Sequence, residues 1–192
     1  MYIYRMEYNI IVAFSKNKGI GLKNRLPWNI PSDLKNFKTL TTGNGNNAVI
    51  MGRNTWESLP IKYLTYRDNL ILSRNLKIDT TYNNNIVKSF CYVNTLQEHC
   101  EFKKYDNVWI IGGEQVYKEF LNNKKLLVKK IYVTYIDKYF ECDTFFPDIS
   151  FDKYPSVSEK EHIIKKMITT NNDNSNDNSN DFKIYDRIYY LS

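Results

Sequence analysis

The chain has 192 residues, 42% of them hydrophobic and 25% charged, with a formal net charge of +6. That length suits one domain, residues 1–192, with a sizeable core, and the positive balance is compatible with a nucleic acid or an anionic small molecule. Only two histidines, His99 and His162, and three cysteines with no CxxC pair argue against a zinc site or a histidine-based hydrolase.

The cysteines read as reduced thiols. No apolar run reaches the length of a membrane span, and the N-terminus lacks a signal-peptide apolar core, so a cytoplasmic protein is expected.

After a short lead-in, Tyr8 to Phe14 (YNIIVAF) is a nearly continuous apolar run, as in a strand buried on both faces. Ser15 to Pro31 is a long loop holding a tight Gly-Ile-Gly turn, a basic stretch and Trp28. Pro31 and Ser32 open a helix that runs from Ser32 to Leu40 and ends at Thr42-Gly43-Asn44-Gly45. Asp33 falls in its first turn, and Leu34, Phe37 and Leu40 form its apolar face. An acid flanked by Trp28, Leu34 and Phe37 is a candidate for a carboxyl group at the bottom of an apolar pocket. The alternative is an acid that only complements the helix dipole.

Asn47 to Met51 is a second buried strand. Gly52-Arg53-Asn54-Thr55 then turns directly into a short helix that carries Trp56 and stops near Pro60. Asn69 to Leu72 is a third strand, running into Ser73-Arg74. A weak strand near Ile86 and Val87 leads to a helix from Thr95 to Phe102. Val108 to Ile111 is a strong strand, followed by Gly112-Gly113, a helix from Glu114 to Leu121, and a strand from Ile131 to Ile136.

This alternation predicts an α/β fold with a largely parallel sheet covered on both faces. Val157 to Ile168 and Phe182 to Leu191 then read as an antiparallel hairpin at the sheet edge. Its oversized tip holds an Asn/Asp/Ser tract at 171–181 with the composition of a disordered insertion.

Two strand ends run straight into helix starts through small residues, Gly52-Arg53-Asn54-Thr55 and Gly112-Gly113-Glu114. Free N–H groups at helix starts bind phosphate, and two of them with an arginine could hold a pyrophosphate. Neither is the GxGxxG fingerprint, so a Rossmann dinucleotide site is not supported. Ser73-Arg74 adds a hydroxyl and a guanidinium where a 2′-phosphate would need them, although taken alone a solvated surface arginine is the better reading of Arg74. Basic residues are otherwise scattered. The one dense cluster, Lys124 to Lys130, is interrupted by Leu126, Leu127 and Val128, so RNA binding is the weaker alternative.

LPWNIPSDLKNF, VIMGRNTWESLP, NLILSR, WIIGGEQVY and ECDTFFPD, in this order, resemble dihydrofolate reductase over nearly the whole chain. The segment from Lys129 through Asp143 looks most like the reductase domain of enzymes fused to thymidylate synthase, which leaves open a synthase domain in the same polypeptide. The resemblance implies a three-layer fold with an eight-stranded, mostly parallel central sheet, an antiparallel C-terminal hairpin and about four helices. It also implies NADPH-dependent reduction of 7,8-dihydrofolate to tetrahydrofolate by a monomeric domain without metal, nucleic acid or membrane.

Residue by residue, Asp33 matches the family's active-site carboxylate, which binds the pterin's N3 and 2-amino group. Trp28 and Thr134 match the residues that hold the nearby water and the carboxylate. Val12, Ala13, Leu34, Phe37 and Ile111 match the pterin pocket. Leu59 and Arg67 match the channel for the aminobenzoyl-glutamate, with Arg67 on the α-carboxylate. Gly52, Arg53, Asn54 and Thr55, then Ser73 and Arg74, match the cofactor's phosphate contacts. Gly112 and Gly113 match a pair joined by a cis peptide. Glu114, Gln115, Val116 and Tyr117, together with Ala13, Ile20 and Gly21, complete the cofactor set. Glu114 departs from the small residue common there, and the 171–181 tract is atypical.

Hydride transfer needs no protein nucleophile, because the cofactor carries it. One proton must reach N5 of the pterin, and Asp33 is the acid that the pattern puts in that pocket, acting through a water gated by the Gly19 to Leu26 loop. Two other classes stay in view: a non-catalytic nucleotide-binding module, which would not need Asp33 and Trp28 together, and a reductase of a riboflavin-precursor pyrimidine, which would lack the LPWNIPSDLKNF block.

Overall fold

The computed structural model describes residues 6–149, 156–164 and 182–190. The YNIIVAF run, lengthened by one residue at each end, is β1 (Glu7–Ser15). The chain continues through β2 (Gly19–Gly21), α1 (Pro31–Thr42), β3 (Asn47–Gly52), α2 (Arg53–Ser58), β4 (Asp68–Leu72), β5 (Asp79–Tyr82), β6 (Asn85–Phe90) and α3 (Val93–Lys103). It ends with β7 (Asn107–Gly112), α4 (Glu114–Asn122), β8 (Leu127–Ile136), β9 (Thr144–Phe145), β10 (Ser156–Ile164) and β11 (Phe182–Tyr190).

Nine strands form one sheet in the order β10-β11-β8-β1-β7-β3-β4-β6-β5, while β2 and β9 pair separately. From β8 to β6 all neighbours are parallel. The antiparallel strands are β11 against β8, β10 against β11, and β5 against β6. The expected α/β architecture with a C-terminal hairpin is therefore present, with one strand more than the implied eight. That strand, β5, has the polar sequence DTTY and gives no apolar signal. Its cause lies in the turn: Asn83 and Asn84 both adopt positive φ, the signature of a two-residue type I′ hairpin loop.

Side chains alternate across β1 and divide the molecule into layers. Tyr8, Ile10, Val12 and Phe14 enter a core that includes Leu96 and Cys100 of α3 and Val116, Tyr117 and Phe120 of α4. Ile11 faces the opposite layer with Leu40 of α1 and Trp56 of α2, and Ala13 packs there beside Trp28 and Ile30. Fully burying each large apolar side chain contributes about 1.5–3 kcal/mol, so both layers are held by ordinary hydrophobic burial. The hairpin of β10 and β11 pairs as far as Ile164 opposite Phe182. The 171–181 tract and the expected strand beyond Ile164 lie outside the described residues.

Strand order locates the site. After β1 the chain lays down β3, β4 and β6 on one side, then returns to insert β7 between β1 and β3, and finally places β8 on the other side of β1. Ligands of open α/β sheets bind beyond the carboxyl ends of the strands at such a reversal.

Candidate active site

A groove of about 1110 Å³ opens at that reversal. Gly52, Arg53, Asn54 and Thr55 line it at the end of β3, Ser73 and Arg74 at the end of β4, and Gly113, Glu114, Gln115 and Val116 at the start of α4. The N-caps of α2 and α4 are Gly52 and Gly113, which offer no side-chain cap. Close approach explains the glycines. A Cβ on Gly52 would lie 3.2 Å from Val116, and one on Gly112, whose φ is +105°, would lie 2.9 Å from the Tyr117 ring. The Gly112–Gly113 peptide is cis.

Arg53 donates to Glu57 at 2.6 Å, and Lys118 pairs with Glu114, so the acid that departs from the family pattern faces the groove already neutralised. Arg74 is exposed and makes no ion pair among the described residues. The donor set therefore fits a phosphate-bearing cofactor: two uncapped helix starts, one free arginine and a second held by its own helix.

The other expected cofactor residues, Ala13, Ile20, Gly21 and Tyr117, do not line the groove wall. Tyr117 is buried and donates its hydroxyl to the Ile11 carbonyl at 2.9 Å. Ile20 and Gly21 belong to the loop held by Asp143: the Lys23 amide donates to Asp143 Oδ2 at 2.7 Å, and the Asp143 amide donates to the Gly21 carbonyl at 3.0 Å. Asn24, Cys91, Tyr92 and Asp143 also line the groove. Sequence reading missed them because each belongs to a loop or helix start with no spacing to mark it.

Helix α1 carries the second half of the site. Only Thr41 in it is buried; Leu34 is 47% exposed, and Phe37 and Leu40 are partly covered. At its first turn, Asp33 Oδ1 accepts a hydrogen bond from the Thr134 hydroxyl at 2.7 Å. Burial, and secondarily the nearby Asp186 charge, push the Asp33 carboxyl above the usual carboxylate range, while the Thr134 bond opposes the rise. Trp28 beside it is 6% exposed, and its indole N–H has no acceptor among the described residues.

At the other end of α1 lies Arg67, 2% exposed. Its Nε donates to the Thr65 carbonyl at 2.9 Å, another guanidinium nitrogen donates to the Thr41 hydroxyl, and the group lies 5.9 Å from the Phe37 ring centre. No carboxylate pairs with it among the described residues, and burial brings its pKa down to about 10. Leu59 and Ile111 pack in the layer below α1. Ala13 shares the Trp28 cluster, whereas Val12 turns its side chain into the opposite core and leaves only its backbone for this side. Asp186 was not anticipated; a lone acid in a strand near the end of the chain carries no sequence signal.

A parallel sheet with a phosphate-type groove at its reversal, and a half-buried acid at the start of α1, defines an α/β enzyme that works with a nucleotide cofactor. The comparisons give the particular family. The family model for dihydrofolate reductase matches residues 7–187. A dihydrofolate reductase of Sus scrofa is 43% identical over 159 residues, covering 79% of this chain and 84% of its own. That of Buchnera aphidicola is 37% identical over 184 residues, covering 95% and 99%. The bifunctional dihydrofolate reductase-thymidylate synthase 1 of Arabidopsis thaliana is 40% identical over 158 residues, but the match spans only 30% of its length. Among solved structures, dihydrofolate reductase from Enterococcus faecalis complexed with NADP(H) superposes with a TM-score of 0.73 at 26% identity, covering 97% of this chain and 96% of its own. The chain belongs to the dihydrofolate reductase family.

Proposed function

We propose that the protein reduces 7,8-dihydrofolate to tetrahydrofolate with NADPH, and that its site residues act as follows. One observation carries the reading. Along a single helix face the order is acid, uncovered apolar surface, guanidinium: Asp33, then Leu34 and Phe37, then Arg67 against Thr41. Residues 33 and 41 of a helix are roughly 12 Å apart along its axis. A ligand with an amidine-like head, a flat apolar middle and a carboxylate tail fits that order, and dihydrofolate has those three parts.

Asp33 takes the pterin's N3 and 2-amino group, with Thr134 holding the carboxyl in place. The unpartnered Trp28 N–H is a donor for a water between the indole and the carboxyl. Leu34, Phe37, Leu59 and Ile111 cover the rings, with the backbone of Val12 and Ala13 beneath, and Arg67 takes the glutamate carboxylate. Arg53 and Thr55 with the starts of α2 and α4 receive the pyrophosphate, and Ser73 and Arg74 the 2′-phosphate. NADPH supplies the hydride when bound. The protein's own tasks are to align the pterin beneath it, exclude bulk water with the 19–26 loop, and let one proton reach N5.

The reading extends to a single monomeric domain in the cytoplasm; the three cysteines are unpaired thiols, which suits a reducing compartment. No described helix is long and apolar enough to cross a membrane. A synthase domain in the same polypeptide is a further part of the reading, supported by the fused relatives. The test is NADPH consumption with dihydrofolate run beside the riboflavin-precursor pyrimidine. Turnover with the pyrimidine alone, or with neither, overturns the proposal.

A further inference from the structure

Between α1 and the C-terminal hairpin lies a second cavity of about 310 Å³, lined by Ser32, Asp33, Lys35, Lys160, Ile184 and Asp186 among others. Asp186 of β11 stands in register opposite Thr134 of β8 on one side and Lys160 of β10 on the other. The Thr134 hydroxyl is 2.7 Å from Asp33 Oδ1 and 3.3 Å from Asp186 Oδ1. A hydroxyl has one proton to donate, and the shorter contact gives it to Asp33. Two carboxyl groups thus converge on one hydroxyl and one small cavity.

We propose that Asp186 is a positioning residue for the reaction: acting through Thr134 and the shared cavity, it sets how readily Asp33 holds a proton. The proposal rests on the reading of Asp33 as the active-site acid. The physical cause is like-charge repulsion, which disfavours a second negative charge at short range.

Among the described residues, other charged and titratable groups also face the pair. Lys35 from α1 and Lys160 from β10 share the cavity but are exposed, so solvent and salt screen them. Tyr117 from α4 lies near Asp33, but burial keeps its phenol neutral, and its hydroxyl is committed to the Ile11 carbonyl. Arg187 sits over the Tyr135 and Tyr185 rings, on the strand face opposite to Asp186.

The test is a carboxyl-carbon NMR titration of the full chain labelled at aspartate Cγ, with the Asp33 resonance assigned by its loss in Asp33→Asn. In Asp186→Asn, and in Asp186→Ser should the amide fold poorly, the Asp33 midpoint is expected at lower pH than in the wild type. Asp186→Glu should bring it back towards the wild-type value. The pH profile of single-turnover hydride transfer should move the same way, with the NADPH KM unchanged. An Asp33 midpoint that stays in place overturns the proposal, and so does an equal displacement in Asp186→Asn and Asp186→Glu, which would mark a structural effect. The titration is read on the free protein. Failure of the carboxyl coupling is therefore distinct from failure of the folate reading, which would appear as a wild-type protein that does not consume NADPH with dihydrofolate.

Discussion

Asp33 is held against its own preference. Burial and Asp186 push its carboxyl up, and Thr134 alone pulls it back. The folded protein therefore binds a proton more tightly than the unfolded chain, so stability is lost as pH rises from the ordinary carboxylate range through the raised folded value. Asp33→Asn removes that loss. It should unfold at higher temperature or urea than the wild type at neutral pH, with the difference vanishing below about pH 4. Turnover should fall about 10²–10⁴-fold at neutral pH and recover as pH drops and solvent supplies the proton. A loss that is uniform with pH at saturating substrate would return Asp33 to a purely structural role.

Arg67 presents the opposite case, a buried cation with no carboxylate partner among the described residues, to which the proposed function assigns the substrate's glutamate. A charge-assisted contact is worth about 1.5–3 kcal/mol, so Arg67→Leu should raise the dihydrofolate KM roughly 10- to 100-fold with kcat nearly unchanged. A reduced pterin lacking the glutamate should not distinguish the variant from the wild type. For Arg74→Ala the NADPH KM should rise about tenfold or more and the NADH KM much less; equal losses would remove Arg74 from the 2′-phosphate.

Among the elements, the loop between β1 and α1 is fastened from outside. Asp143 accepts the Lys23 amide and donates its own to Gly21, while β2 pairs with β9. The Lys23 amide, with the Thr144 hydroxyl second, holds the Asp143 carboxyl below the usual range, so this fastening is present above the ordinary carboxylate pKa and is lost as pH falls through the lowered one. Asp143→Ala should speed hydrogen exchange at the Lys23 amide at neutral pH and lower turnover; unchanged exchange would mean that the loop is held by β2 and β9 alone.

This fastening also marks where sequence reading stops. Strands such as NAVIM and VWII declare themselves by unbroken apolar runs, and α1 declares itself by Pro31 and by the spacing of Leu34, Phe37 and Leu40. Asp33 and the two glycine turns were legible because their local sequence carries their chemistry. The coupling of Asp143 to Lys23, or of Asp186 to Thr134, depends on partners more than 50 positions away, and no local pattern encodes such a pairing. The start of α3 shows the same limit on a smaller scale. It begins at Val93 rather than Thr95, its first turn closed by the Leu96 amide on the Tyr92 carbonyl at 3.3 Å, with no capping side chain to announce it.

At the scale of the whole molecule, the 171–181 tract is expected to be dispensable for the reaction. Closure entropy grows slowly with loop length, so removing 171–181 should leave turnover intact and raise stability by about 1 kcal/mol. A large fall in turnover with the fold retained would show that the tract reaches the site or a partner. The sheet order has a consequence in time as well as in space. Tyr8, near the start of the chain, takes its neighbours from Val108 and Val128. During synthesis this strand therefore emerges ahead of both its partners and waits for them. Until β7 and β8 have left the ribosome it has no edge to pair with, so the centre of the sheet closes late and slowly, as long-range pairing requires. A nascent chain halted with Val128 still inside the ribosome should remain open to protease and to chaperones, and one halted with Ile136 already outside it should begin to resist both.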